Sequence, residues 1–169
     1  NKNIKKSGHA IGCSIQGIRP LMIEVQALVS SAVYGTPQRS ATGFNSKRLN
    51  MILAILEKRA GIQIGSKDVF LNITGGINID DPSIDLAVIS SIISSHENIP
   101  IDRNICFSGE IGLSGELRGI SKPKERLSEA EKLGFNLFVT SNSNIDNLDK
   151  SKIVIKKLDQ IEDLIEFLF

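Results

Sequence analysis

The residue types that most often carry chemistry are sparse in this sequence and widely spaced. Cys13 and Cys106 have no C-x-x-C spacing, and His9 and His96 belong to no cluster of metal-ligand spacing. A zinc site or a Ser-His-Asp triad would have to be assembled by folding alone. The expectation is reduced, structural thiols, surface histidines and no metal held by this chain. Thr74-Gly75-Gly76-Ile77-Asn78 offers paired glycines, but no Gly-Lys-Ser/Thr follows, and no G-x-G-x-x-G stands after a strand. These glycines are expected to supply a turn, and the chain is expected neither to bind nor to hydrolyse ATP. The run Gly109-Glu110-Ile111-Gly112-Leu113-Ser114-Gly115-Glu116 places two glutamates among glycines. They could be catalytic acids, yet the glycine spacing with apolar residues between fits tight β-turns better.

The basic residues form a stronger pattern. Residues 1–60 carry nine Lys and Arg against two Asp and Glu, and residues 61–169 carry eleven against seventeen. This split of +7 against −6 hides inside a net charge of only +1 and points to an anionic partner for the first part. Arg39, Lys47, Arg48, Lys58 and Arg59 are the candidate contacts. Lys47 and Lys58 lie about three helical turns apart, as do Arg48 and Arg59, so each pair is expected to share a helix face.

The elements that must position these residues follow from the hydrophobic pattern. The 169 residues are 41% apolar and 23% charged, which suits one globular domain with a sizeable core. No apolar run is long enough to span a bilayer, so no membrane partner is expected. Asn1–Gly8 is polar and lysine-bearing, without an initiator Met or an apolar core of a signal peptide. It reads as a linker, residues 1–9, from a missing upstream part. Ile11–Ile18 and Leu21–Ser30 read as two strands of a hairpin turning at Gly17–Pro20. Tyr34–Ser46 reads as an exposed loop with Arg39 at its centre. Ser46 is expected to cap a helix to Ala60, with Leu49, Ile52, Leu53 and Leu56 inward and Gly61 past its end. Strands are expected at Lys67–Ile73, Ile105–Ser108, Glu116–Gly119, Asn136–Thr140 and Lys152–Lys157. Helices are expected at Ser83–Ser95, Pro123–Leu133 and Ile161–Phe169, the last capped by Asp159. Phe70, Phe107 and Phe138 fall on strands and read as core. Interleaved strands and helices place the chain in the α/β (α+β) class, with mixed sheets and packed helices.

Asp80-Asp81-Pro82-Ser83-Ile84-Asp85, followed by Lys124-Glu125-Arg126, resembles the proteolytic domain of Lon. In that family a D-G-P-S-A-G motif holds the nucleophilic serine, and a lysine in a later G-G-x-K-E-K motif is its base. Ser108–Glu116 resembles the family's T-G-E-I-T-L-x-G-x run. A fuller resemblance, over residues 10–140, is to the C-terminal Lon-like domain of the RadA/Sms family. It is carried by Gly17-Ile18-Arg19-Pro20, Ile23–Val29, Leu56–Gly61, Gly75-Gly76-Ile77 and Gly112–Arg118. Residues 10–169 would then be one domain with the Lon proteolytic-domain-like fold.

The resemblance puts Ser83 and Arg126 at the two dyad positions. A Ser–Lys dyad needs a lysine that can be neutral, and a guanidinium stays protonated. Lys124 would lie on another helical face. Asp85 stands where the family has glycine and would add a carboxylate near the serine. No catalytic residue is therefore expected, and Ser83 reads as a helix-capping residue; the enzymatic alternative is an active Ser peptidase of Lon type centred on Ser83. The resemblance further implies a cytoplasmic, ring-forming DNA repair and recombination protein, a hexamer in full length, that remodels branched intermediates. Zinc, ATP and Mg would belong to its upstream zinc finger and RecA-like ATPase, with no cofactor in this chain. Its partners would be double-stranded or branched DNA, with a recombinase as a further candidate. A basic stripe repeated round a ring would contact DNA backbones without regard to sequence, and with one Tyr and no Trp, duplex is favoured over single strands.

Overall fold

A computed structural model describes residues 6–144 and 152–169. Strands β1 (His9–Gln16) and β2 (Arg19–Ser31) form the expected hairpin, with Gly17 in the left-handed region at its two-residue turn. β3 (Arg39–Thr42) runs parallel to β4 (Lys67–Ile73), which pairs antiparallel with β2. On the other side of β1, β5 (Ile105–Ser108), β8 (Leu137–Ser141) and β9 (Val154–Leu158) continue in parallel. The sheet has seven strands in the order β3-β4-β2-β1-β5-β8-β9, and β6 (Glu110–Ile111) and β7 (Leu117–Arg118) form a separate small hairpin. The mixed α/β class is as the pattern predicted.

Helices α1 (Ser46–Ala60), α2 (Asp85–Glu97) and α4 (Ile161–Leu168) join the main core with Ile23, Val25, Val69, Leu71 and Phe107. Helix α3 (Pro123–Lys132) belongs to a second cluster with Cys13, Cys106 and Phe138. Every residue of α2 from Asp85 to Ser94 is buried, as expected of a helix apolar on most sides. It lies against β1 because Gly12 has no side chain: a Cβ there would stand 2.7 Å from Ile84 and 3.0 Å from Ala87.

Four local expectations need correction. The predicted loop at Tyr34–Ser46 contains β3, whose short Arg-Ser-Ala-Thr sequence lacks strand character until β4 supplies its hydrogen-bond partners. Asn45, and not Ser46, caps α1 through the Arg48 N–H. Gln160, and not Asp159, begins α4 in a reciprocal cap with Asp163. Phe107 and Phe138 are fully buried, but Phe70 alternates to the opposite sheet face from Val69 and Leu71 and is only half-buried. Of the expected linker, residues 1–5 lie outside the described residues, while Gly8 already accepts a sheet hydrogen bond from Ala27.

Candidate functional site

The turn Pro82–Ile84 that leads into α2 is set by Asp81, whose carboxylate accepts the Ser83 N–H at 3.0 Å. Asp81 is thus the capping residue, and the capping role expected of Ser83 is corrected. Helix α3 brings Arg126 to the same place, so the two dyad positions do meet. Arg126 Nη1 lies 2.6 Å from Ser83 Oγ, 2.8 Å from Asp81 Oδ2 and 2.8 Å from the Cys13 carbonyl. Its Nε donates to the Ser121 carbonyl at 2.7 Å and its Nη2 to Ser121 Oγ at 3.3 Å. Ser83 Oγ in turn donates to the Cys13 carbonyl at 3.1 Å. Both Ser83 and Arg126 are 0% exposed.

This geometry is the reverse of an activated serine. A nucleophilic hydroxyl must hand its proton to a base and keep a lone pair free for attack. Here the hydroxyl proton rests on a backbone carbonyl, while the oxygen accepts from a cation with no proton-accepting form near neutrality. Lys124 is exposed on another face of α3. Burial alone would raise the Asp81 carboxyl, but Arg126 and the N–H groups of Ile15 and Ser83 outweigh it and hold it below the usual carboxylate value. Burial pushes the Cys13 thiol up to about 12 and the Cys106 thiol well above its ordinary value, so neither is a ready nucleophile. Both are free, and Cys106 Sγ contacts Met22 Sδ at 3.6 Å.

Asp85, expected beside the serine, directs its hydrogen bonds elsewhere. Its buried carboxylate takes Arg48 Nε at 2.8 Å and Arg48 Nη2 in a bidentate pair, and accepts the Ile111 N–H at 3.1 Å. Burial pushes the Asp85 carboxyl up against the opposing pull of Arg48 and that N–H. Glu110 stands 3.8 Å from the same guanidinium.

The five basic candidates are therefore not equivalent. Exposure is expected of all four cations of α1; Lys47, Lys58 and Arg59 have it, whereas Arg48 is half-buried. Arg48 is spent on Asp85. Arg39 is half-buried on β3, with Nη2 on the Ile64 and Gly65 carbonyls at 3.3 and 3.4 Å and Nε buried without a partner. Arg48 and Arg59 do share a helix face, but it runs along the β6–β7 hairpin, where Arg59 Nε reaches the Leu113 carbonyl at 3.4 Å. The Glu110–Glu116 run is indeed turn-forming: Gly115 is in the left-handed region and Gly112 N–H bonds the Glu116 carbonyl. Glu116 pairs with Arg118. His9 pairs with Glu24, and His96 with Glu97 and the Gln63 carbonyl. Among the described residues, no group of three or more His, Cys, Asp or Glu could hold a metal ion, and no helix is long and apolar enough to cross a membrane.

Sequence reasoning missed two features of the site, namely Asp81 as the anchor of Arg126 and Arg48 as the partner of Asp85. The signal for the second was available: a carboxylate opening an otherwise apolar, buried helix must find a cation.

Residues 23–144 match the family described as subunit ChlI of Mg-chelatase. The chain belongs to this family. The ChlI-family chain is also 41% identical to the DNA repair protein RadA of Bacillus subtilis (strain 168) over 146 residues, 86% of this chain and 32% of that protein. It is 44% identical to the protein of that name from Rickettsia prowazekii (strain Madrid E) over 149 residues, 86% of this chain and 33% of the relative. With that of Rickettsia bellii (strain RML369-C) it shares 47% identity over 136 residues, 80% of this chain and 30% of the relative. The resemblance to the RadA/Sms family is thus borne out, and the chain spans about a third of the length of these curated relatives.

Proposed function

We propose that this chain is the Lon-like domain of a RadA-type DNA repair and recombination protein, without peptidase activity, serving as a ring platform and as a contact for DNA. The observation that carries this reading is the buried Arg126 guanidinium locked onto Ser83 and Asp81. An arginine there cannot serve as the base of a Ser–Lys dyad, and Ser83, 0% exposed, presents no hydroxyl surface to a peptide. The site is a structural ion pair on a peptidase scaffold. The residues before Gly8 follow, in this reading, an upstream ATPase part that would carry the ATP, Mg and zinc chemistry, and the whole protein would act on branched DNA.

A fluorophosphonate probe tests the absence of catalysis directly. The chain is expected to take no label and to cleave no unstructured peptide, and Ser83→Ala should change neither result. Labelling that disappears in Ser83→Ala, with cleavage lost in parallel, would replace this reading with an active Ser peptidase. The ring is tested by light scattering. Concentration-dependent self-association is expected, hexameric for the longer protein with nucleotide and DNA, and a strict monomer under all these conditions would remove it.

In this reading the DNA contact lies on α1. Lys47, Lys58 and Arg59 are exposed, and Lys47 and Lys58 share a helix face next to the one that carries Arg48 and Arg59. Such cations engage phosphates irrespective of base sequence, and a ring would add the contributions of its copies.

A further inference from the structure

Arg48 lies in the same helix as the exposed cations, yet its guanidinium faces inward. It is held by both oxygens of Asp85, a carboxylate that is 0% exposed and that also accepts the Ile111 N–H. One buried group therefore joins the first turn of α1, the first turn of α2 and strand β6. Glu110 borders the same guanidinium at 3.8 Å, which leaves Arg48 facing two carboxylates. At the far end of α1, Arg59 lies along the turn of the β6–β7 hairpin, with its Cβ and Cγ over Gly115 and its Nε on the Leu113 carbonyl. Both ends of one helix face are thereby tied to the same hairpin, which adds to the buried Leu49, Ile52, Leu53, Ile55 and Leu56 in holding the rotation of α1 about its axis. Lys47, one residue from Arg48, and Lys58, one from Arg59, are turned outward by that setting.

From this geometry we propose that Arg48 is a positioning residue and not a phosphate contact: paired with Asp85, it completes the setting of α1 so that Lys47 and Lys58 meet a DNA backbone together. The proposal rests on the DNA reading above and separates from it by the sign of one result. Simple charge counting says that removing a carboxylate from an anion-binding domain tightens binding. Positioning says the opposite, because the neutral amide holds Arg48 less firmly and the lysine face of α1 loses its fixed setting on the domain.

The test measures binding of a fluorescent DNA duplex to the 169-residue chain by anisotropy, across a series of salt concentrations, for Asp85→Asn, Arg48→Lys and the triple variant Lys47→Ala, Lys58→Ala, Arg59→Ala. Thermal denaturation of each confirms folding. Arg48→Lys keeps the charge but loses the bidentate fork, so positioning predicts weaker binding by about fivefold or more. Asp85→Asn should weaken binding in the same direction. If Asp85→Asn does not fold, Arg48→Lys decides by itself, since its side chain reaches the surface and lysine can follow it there. Wild-type affinity in folded Arg48→Lys, or tighter binding in Asp85→Asn, would overturn the positioning role while leaving the DNA face intact. Unchanged affinity in the triple variant would overturn the DNA face, and the positioning role with it.

Discussion

Replacing Arg126 by methionine should lower the unfolding free energy by about 3–5 kcal/mol. The side chain is fully buried and its guanidinium satisfies the Asp81 carboxylate, the Cys13 and Ser121 carbonyls and the Ser83 hydroxyl. Methionine fills part of the volume but leaves a carboxylate only 13% exposed without its cation. The cost is that of the orphaned charge rather than of the lost attraction, so the double variant Arg126→Met, Asp81→Asn should recover part of it. The pH dependence follows from the sign of the Asp81 shift. Its folded pKa lies below the ordinary 3.8, so the stability it contributes is present in full above that value and is lost as the pH falls through the depressed folded one. In Arg126→Met the carboxyl loses the pull of the guanidinium and moves up, so acidification costs the variant less than the wild type. Urea titrations at about pH 7 and about pH 3 should show the difference between the two proteins shrinking at the lower pH. A loss below about 1 kcal/mol, the same at both, would reduce the pair to the worth of a surface salt bridge.

The variant Lys47→Ala, Lys58→Ala, Arg59→Ala should lower the slope of log affinity against log salt by about 0.9 for each phosphate contact removed. A chain with few contacts is expected to bind DNA only at about 10⁻⁴–10⁻⁶ M near physiological salt, so the loss shows most clearly at low salt. All three side chains are exposed and Arg59 alone has a contact to lose, at the Leu113 carbonyl, so the thermal midpoint should fall by no more than a few degrees. Arg48 is left out of this set because it serves Asp85, and Arg39 because its guanidinium is turned to the Ile64 and Gly65 carbonyls. A triple variant with unchanged affinity and slope would make the lysine face of α1 a solvated surface and nothing more.

The sequence by itself determined the order of elements and which faces pack. Leu49, Ile52, Leu53 and Leu56 at helical spacing placed α1, with Gly61 as its left-handed end, because apolar periodicity and glycine's freedom at positive φ are properties of neighbouring residues. Arginine at the base position of the resembled dyad was also legible, since the chemistry of a guanidinium does not depend on its surroundings. Strand β3 was not, because Arg-Ser-Ala-Thr becomes a strand only when the edge of β4 offers hydrogen bonds, Arg39 lying opposite Val69 and Thr42 opposite Asn72, 30 residues on. Nor was the division of labour among the cations. Five basic residues look alike in sequence, and their spacing correctly put Arg48 beside Arg59 on one face of α1. Only the tertiary fold, which brings the start of α2 to the start of α1, decided that Arg48 would meet a carboxylate buried at the first turn of the next helix. Charge type is written in each residue, whereas whether a charge is spent inside the protein or offered to a partner is set by which distant groups the fold places opposite it.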